Sequence, residues 1–116
     1  MPFDKRAVLR VMAAYYAATA AWPLLDMRSF ERVTGPKTDR WLVDTVAALI
    51  LADALALAVG TRARRPSAET LVLAVADALA FIAVDVVFVA KRRIAPIYLA
   101  DAAAELSLLL ALAAAP

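Results

Sequence analysis

Four apolar stretches, each about twenty residues long, occupy most of a 116-residue chain and leave too little sequence for a soluble domain. They run roughly over residues 7–25, 41–60, 71–90 and 97–115. A helix rising about 1.5 Å per residue needs some 17–25 such residues to cross the hydrocarbon of a bilayer. All four meet that length at its short end, and Gly, Pro and charged clusters fall between them. The chain is 65% hydrophobic, against about 45–50% in soluble domains. The expected fold is therefore all-α: a single domain, residues 1–116, forming an integral membrane bundle of four transmembrane helices with short connections. Short connections make successive helices antiparallel neighbours.

The breaks have local causes. Pro23 lies near the end of the first stretch, where it can kink a helix. Gly35-Pro36 is a stop-and-turn signal, with Thr38 or Asp39 as the next cap. Gly60 closes the second stretch, and Ser67 caps the third. Lys91-Arg92-Arg93 ends the third helix near the negative end of its dipole. Pro96 suits the first turn of the fourth. Residues 26–33 carry Met27, Phe30 and Val33 every third position, with Arg28, Glu31 and Arg32 between them. That pattern is either a short amphipathic turn in the interface or an extension of helix one. Lys5 and Arg6 before an apolar stretch, with Ala18-Thr19-Ala20, imitate a signal peptide. Arg10 interrupts that stretch, so it is read as a retained first helix.

Composition narrows the chemistry. There is no Cys and no His, which excludes disulfides, thiolate metal sites and catalysis needing either residue. No cofactor and no metal are expected. A net charge of +2, with the basic residues in the connections, is a membrane-flank pattern and gives no sign of a nucleic-acid partner. Lys and Arg number six on one side of the four helices and seven on the other, so charge bias does not choose an orientation. The richness in Ala and Arg reads as codon bias, and the expected location is a bacterial inner (cytoplasmic) membrane.

The informative feature is a set of ionisable residues inside apolar helices: Arg10, Asp44, Asp53, Asp77, Asp85, Asp101 and Glu105. Each charge at mid-bilayer costs roughly 2.5–3.5 kcal/mol on insertion scales, so such groups face a bundle interior or water, or pair. Asp53, Asp77 and Asp101 recur at intervals of 24 residues within similar Ala/Leu-rich sequences, a near-repeat that the bias toward Ala and Leu can also produce by chance. Depth sorts the charges into layers. Arg10, Asp53 and Asp77 lie roughly 8–12 Å in from the N-terminal side and are expected to form one polar cluster. Asp44, Asp85 and Asp101 lie near the opposite side, with Glu105 near the midplane beside Tyr15 and Tyr16.

At about 100° per residue, Tyr98, Asp101 and Glu105 share one face, while Asp44 and Asp53 point in opposite directions. Asp53 is then internal, and Asp44 faces lipid, a partner or the loops. Two carboxyls as close as Asp101 and Glu105 in a low dielectric are not expected to be ionised together at neutral pH, and Glu105, near the midplane, is expected to be the protonated one. Structural roles compete throughout. Asp44 and Asp101 suit early helical turns, Asp85 can pair with Lys91–Arg93, and Tyr15, Tyr16 and Trp22 are common packing or interface residues.

The candidate ligand- or proton-binding residues are Glu105, Asp101, Asp77, Asp53, Asp85, Arg10 and Tyr98. The leading expectation is a proton- or cation-coupled small transporter or ion path. Its partners would be membrane lipids, a second copy in a homodimer packed through Ala-rich faces, and a small cationic or lipid-like ligand. One alternative is a non-catalytic binder of a lipid-like or amphiphilic ligand. Another is an accessory subunit of a membrane complex. No nucleophile–base pair points to an enzyme, because Ser107 and Thr45 lack a basic partner at usable spacing.

Overall fold

A computed structural model describes residues 3–116 and contains helices α1 (Lys5–Leu25), α2 (Met27–Thr34), α3 (Arg40–Gly60), α4 (Ala68–Ala90) and α5 (Tyr98–Ala114). The four long helices fall on the four apolar stretches to within three residues at each boundary. Three of them, α1, α3 and α4, are long and apolar enough to cross a membrane. The fourth expected span is the 17-residue α5, about 25 Å of helix at 1.5 Å per residue.

Local chemistry sets the boundaries. Asp4 caps α1, its Oδ1 accepting from the Ala7 amide at 2.8 Å. Ser67 caps α4, its Oγ accepting from the Thr70 amide at 3.1 Å. Asp39 precedes α3 but gives no side-chain cap. The first helix runs through Pro23 for two further residues. At the end of α4 the Arg93 amide donates to the Phe88 carbonyl at 2.8 Å and the Arg92 amide to that of Val89 at 3.0 Å. This is the Schellman closure, with Arg92 at φ 57° in the position usually held by glycine.

The amphipathic segment is a separate helix. Asp26 breaks the chain between α1 and α2 and caps the second, its carboxylate accepting from the Ser29 amide at 3.3 Å. Trp22 Nε1 donates to Ser29 Oγ at 2.7 Å, and the Trp22 and Phe30 rings meet edge-on at 5.4 Å. These contacts fold α2 back against the end of α1. Gly35 ends α2 at φ 98°, ψ 158°, a conformation essentially confined to glycine.

The long helices form a closed ring. The closest pairs are α1 with α3 and α4 with α5, joined by α1–α5 and α3–α4 contacts. Leu9, Met12 and Tyr16 of α1 are buried against Ala54 and Leu57 of α3, Ala74 and Ala78 of α4, and Leu112 of α5. At one end of the bundle, Lys5 Nζ donates to the Leu112 carbonyl at 3.1 Å and to the Ala115 carbonyl, and Arg6 Nε donates to the Thr61 carbonyl at 2.9 Å. Two cations thus meet the negative ends of two helices. The outer faces expose large apolar side chains, among them Trp41, Leu49, Leu55, Val72 and Leu110.

Candidate functional site

A cavity of about 630 Å³ opens at the other end, between the α1–α3 and α4–α5 pairs and beneath α2. Helix geometry builds its walls. The C-terminal halves of α1 and α4 and the N-terminal halves of α3 and α5 come together there, because successive helices run in opposite directions. Val43, Val46, Ala47 and Ile50 supply an aliphatic wall from α3. Of the nine aromatic residues in the chain, six line this one space: Tyr15, Tyr16, Trp22, Phe30, Phe81 and Tyr98. Tyr16 and Phe81 lie in ring contact at 5.5 Å across the bundle.

Three carboxyls stand in this apolar space: Asp85 from α4, and Asp101 and Glu105 from α5. Asp85 is 4% exposed and Glu105 1%. The Tyr16 hydroxyl donates to Glu105 Oε2 at 2.7 Å, and the Tyr15 hydroxyl donates to Asp101 Oδ1. The Asp85 and Asp101 carboxyls lie within hydrogen-bonding reach of each other, a contact that needs a shared proton or a cation between them. Oδ2 of Asp85 is buried and takes no donor from the described residues.

Lys37 stands at the rim. Its ammonium donates to the Tyr98 hydroxyl at 2.9 Å and the Thr34 carbonyl at 3.3 Å, and lies over the rings of Phe30 and Tyr98. It makes no ion pair with the three acids; among the described residues, the one ion pair is Arg40 with Glu31, at 2.6 Å. That pair fastens α2 to the start of α3, and the Arg40 guanidinium holds the Glu31 carboxyl below the usual carboxylate range. Asp26 is also held low, by its bonds to Ser29.

Comparison with protein families, with curated proteins and with solved structures finds no match to this chain. Among the described residues, no group of three or more acidic side chains has metal-binding geometry.

The candidate residues divide into two groups and one outlier. Tyr98, Asp101, Glu105 and Asp85 meet at the cavity. Asp53 and Asp77 meet farther along the bundle, their carboxyls within hydrogen-bonding reach, and Oδ2 of Asp77 is likewise buried without a donor. Arg10 is the outlier and overturns the expected cluster. It is exposed, its Nε donates to Thr61 Oγ1 at 3.3 Å, and it makes no ion pair with Asp53 or Asp77. Leu9, Met12, Ala13 and Tyr16 define the buried stripe of α1, and Arg10 lies about 100° away from Leu9. Its long side chain therefore reaches to the bundle end, where charge is cheaper.

Asp85 also departs from the flank pairing with Lys91–Arg93. It is turned inward to Asp101, and those three basic residues are exposed. Asp44 is exposed on the outside of α3, as its angle from Asp53 requires. Sequence reasoning missed the two tyrosine donors and Lys37. Tyr15 and Tyr16 share the depth of Asp101 and Glu105, and that coincidence was the available signal. Nothing in the spacing marks Lys37, which reaches the cavity through the turn after α2.

Proposed function

We propose that the chain crosses a bilayer four times and works as a small proton- or cation-coupled transporter, its cavity taking a small cationic or lipid-like ligand. An even number of crossings is supported by Lys5, which joins the start of α1 to the end of α5. In this reading the 17-residue α5 is a fourth, short span beside its neighbours. The exposed apolar faces of α3 and α4 suit lipid contact. The Ala- and Arg-rich composition favours a bacterial cytoplasmic membrane.

The observation that carries the reading is the staging of carboxyls. Asp85 and Asp101 line the cavity, Glu105 follows one turn deeper on α5, and Asp77 and Asp53 continue toward the other end. Intramembrane acids without paired cations are characteristic of proton and cation pathways. A valinomycin-clamped potassium potential across proteoliposomes loaded with a pH dye tests this. The protein should speed internal acidification over protein-free vesicles, and Glu105→Gln should remove at least about nine-tenths of that flux. The Gln carbonyl still accepts from Tyr16, so folding is preserved. Acidification no faster than in protein-free vesicles refutes the pathway.

The second reading, a non-catalytic binder of an amphiphilic ligand, draws on the aromatic and aliphatic walls and the cover of α2. It predicts ligand binding with no proton flux.

A further inference from the structure

The cavity's polar groups are unequally supplied with donors. Tyr16 serves Glu105, and Tyr15 serves Asp101. Asp85 keeps one buried oxygen, Oδ2, that no described residue satisfies. The group is 4% exposed and borders the cavity, so its donor is either the proton shared with Asp101 or a group of whatever occupies that space, and an ammonium N–H can take the place of that proton. Three carboxyls face the cavity against one lysine, and that lysine is already held at the rim by Tyr98, Thr34 and the ring of Phe30. A cation therefore has a place at the floor, and an anion has none. The walls are apolar and the volume lies within the range of about 300–1,000 Å³ common for small-molecule sites.

We propose that the ligand of this cavity is an alkyl- or arylammonium ion bearing at least one N–H, its nitrogen against Asp85 Oδ2 and its apolar body along the aromatic walls toward α2. The assignment rests on the reading of the cavity as a ligand site. A hydrated inorganic cation would leave the aromatic walls unused. A quaternary ammonium has no N–H for Oδ2, and the aromatic rim that would hold it is occupied by Lys37. A neutral amphiphile fills the walls but leaves Asp85 and Asp101 without a counter-charge.

The test uses the full chain in phosphatidylcholine bilayer discs at neutral pH, with Trp41→Phe so that Trp22 is the one fluorophore of its kind. Hexylammonium, hexyltrimethylammonium and hexanol are titrated against Trp22 emission. Hexylammonium should saturate with an apparent Kd at least about tenfold below the other two, the scale of one charge-assisted hydrogen bond. Asp85→Asn should raise that Kd about tenfold or more. Asp44→Asn, which removes an exposed carboxyl from the outer face of α3, should leave it unchanged and so controls for partition into lipid. Equal affinity for hexanol, equal affinity for the quaternary ion, or indifference to Asp85→Asn each overturns the assignment. Should Asp85→Asn lose its helical circular dichroism, the ranking of the three probes on the unmutated site decides alone. Proton flux in vesicles without this ranking sinks the ligand assignment and spares the pathway. The ranking without flux supports the assignment and replaces the carrier by a binder.

Discussion

Tyr16→Phe removes a single oxygen from the centre of the bundle. Tyr16 and Glu105 are each 1% exposed, and the hydroxyl donates to Oε2 at 2.7 Å. Phenylalanine keeps the ring, the packing on Phe81 and nearly all the volume, so the cavity contribution is small. The loss is that of a hydrogen bond whose carboxyl partner stays buried. Such a change costs about 1–3 kcal/mol, the upper part applying if the carboxyl carries charge. Glu105→Gln should be milder, since an amide carbonyl accepts the same hydroxyl. Because the Gln carbonyl still accepts from Tyr16, adding Tyr16→Phe to that variant should cost about as much as in the parent, and the cycle should return a coupling below about 1 kcal/mol. Unfolding in mixed micelles by rising dodecyl sulfate, followed by far-ultraviolet circular dichroism, reads all four proteins. A Tyr16→Phe protein as stable as its parent to within about 0.3 kcal/mol would mean that water or another donor serves Glu105, and would refute this role of the Tyr16 hydroxyl.

Gly35→Ala should destabilise by about 1–3 kcal/mol in the same assay, because φ 98°, ψ 158° strains any residue with a Cβ; open space surrounds the position, so an unchanged protein would contradict the backbone argument. Acid should release α2 while the bundle persists. Glu31 and Asp26 are held low by Arg40 and by the Ser29 contacts, so their contribution is present above the unfolded carboxylate value of about 4 and lost as pH falls below it. Trp22, bonded to Ser29 and stacked edge-on with Phe30, should report the release as a change in emission below about pH 4; emission constant to pH 2 would refute it.

Helix content, the four long elements and their antiparallel order were legible in the sequence because apolar run length and Gly, Pro and charged breaks act locally. The angle between Asp44 and Asp53 was legible for the same reason: it depends only on the period of one helix. Tyr98, Asp101 and Glu105 could be assigned to one face of α5 before any partner was known. What lies opposite a face is a different quantity. Equal depth put Arg10 beside Asp53 and Asp77, but depth is one coordinate, and the rotation of α1 turned Arg10 toward Thr61 while its core stripe turned Tyr16 toward Glu105. The same rotation supplied donors to Glu105 and Asp101 and left Oδ2 of Asp85 without one. The fold of α2 onto Trp22, and with it the cover over the cavity, came from contacts between residues the pattern of polarity leaves equivalent. Periodicity sets what each helix presents; only the packing of four helices against one another sets what each presentation meets.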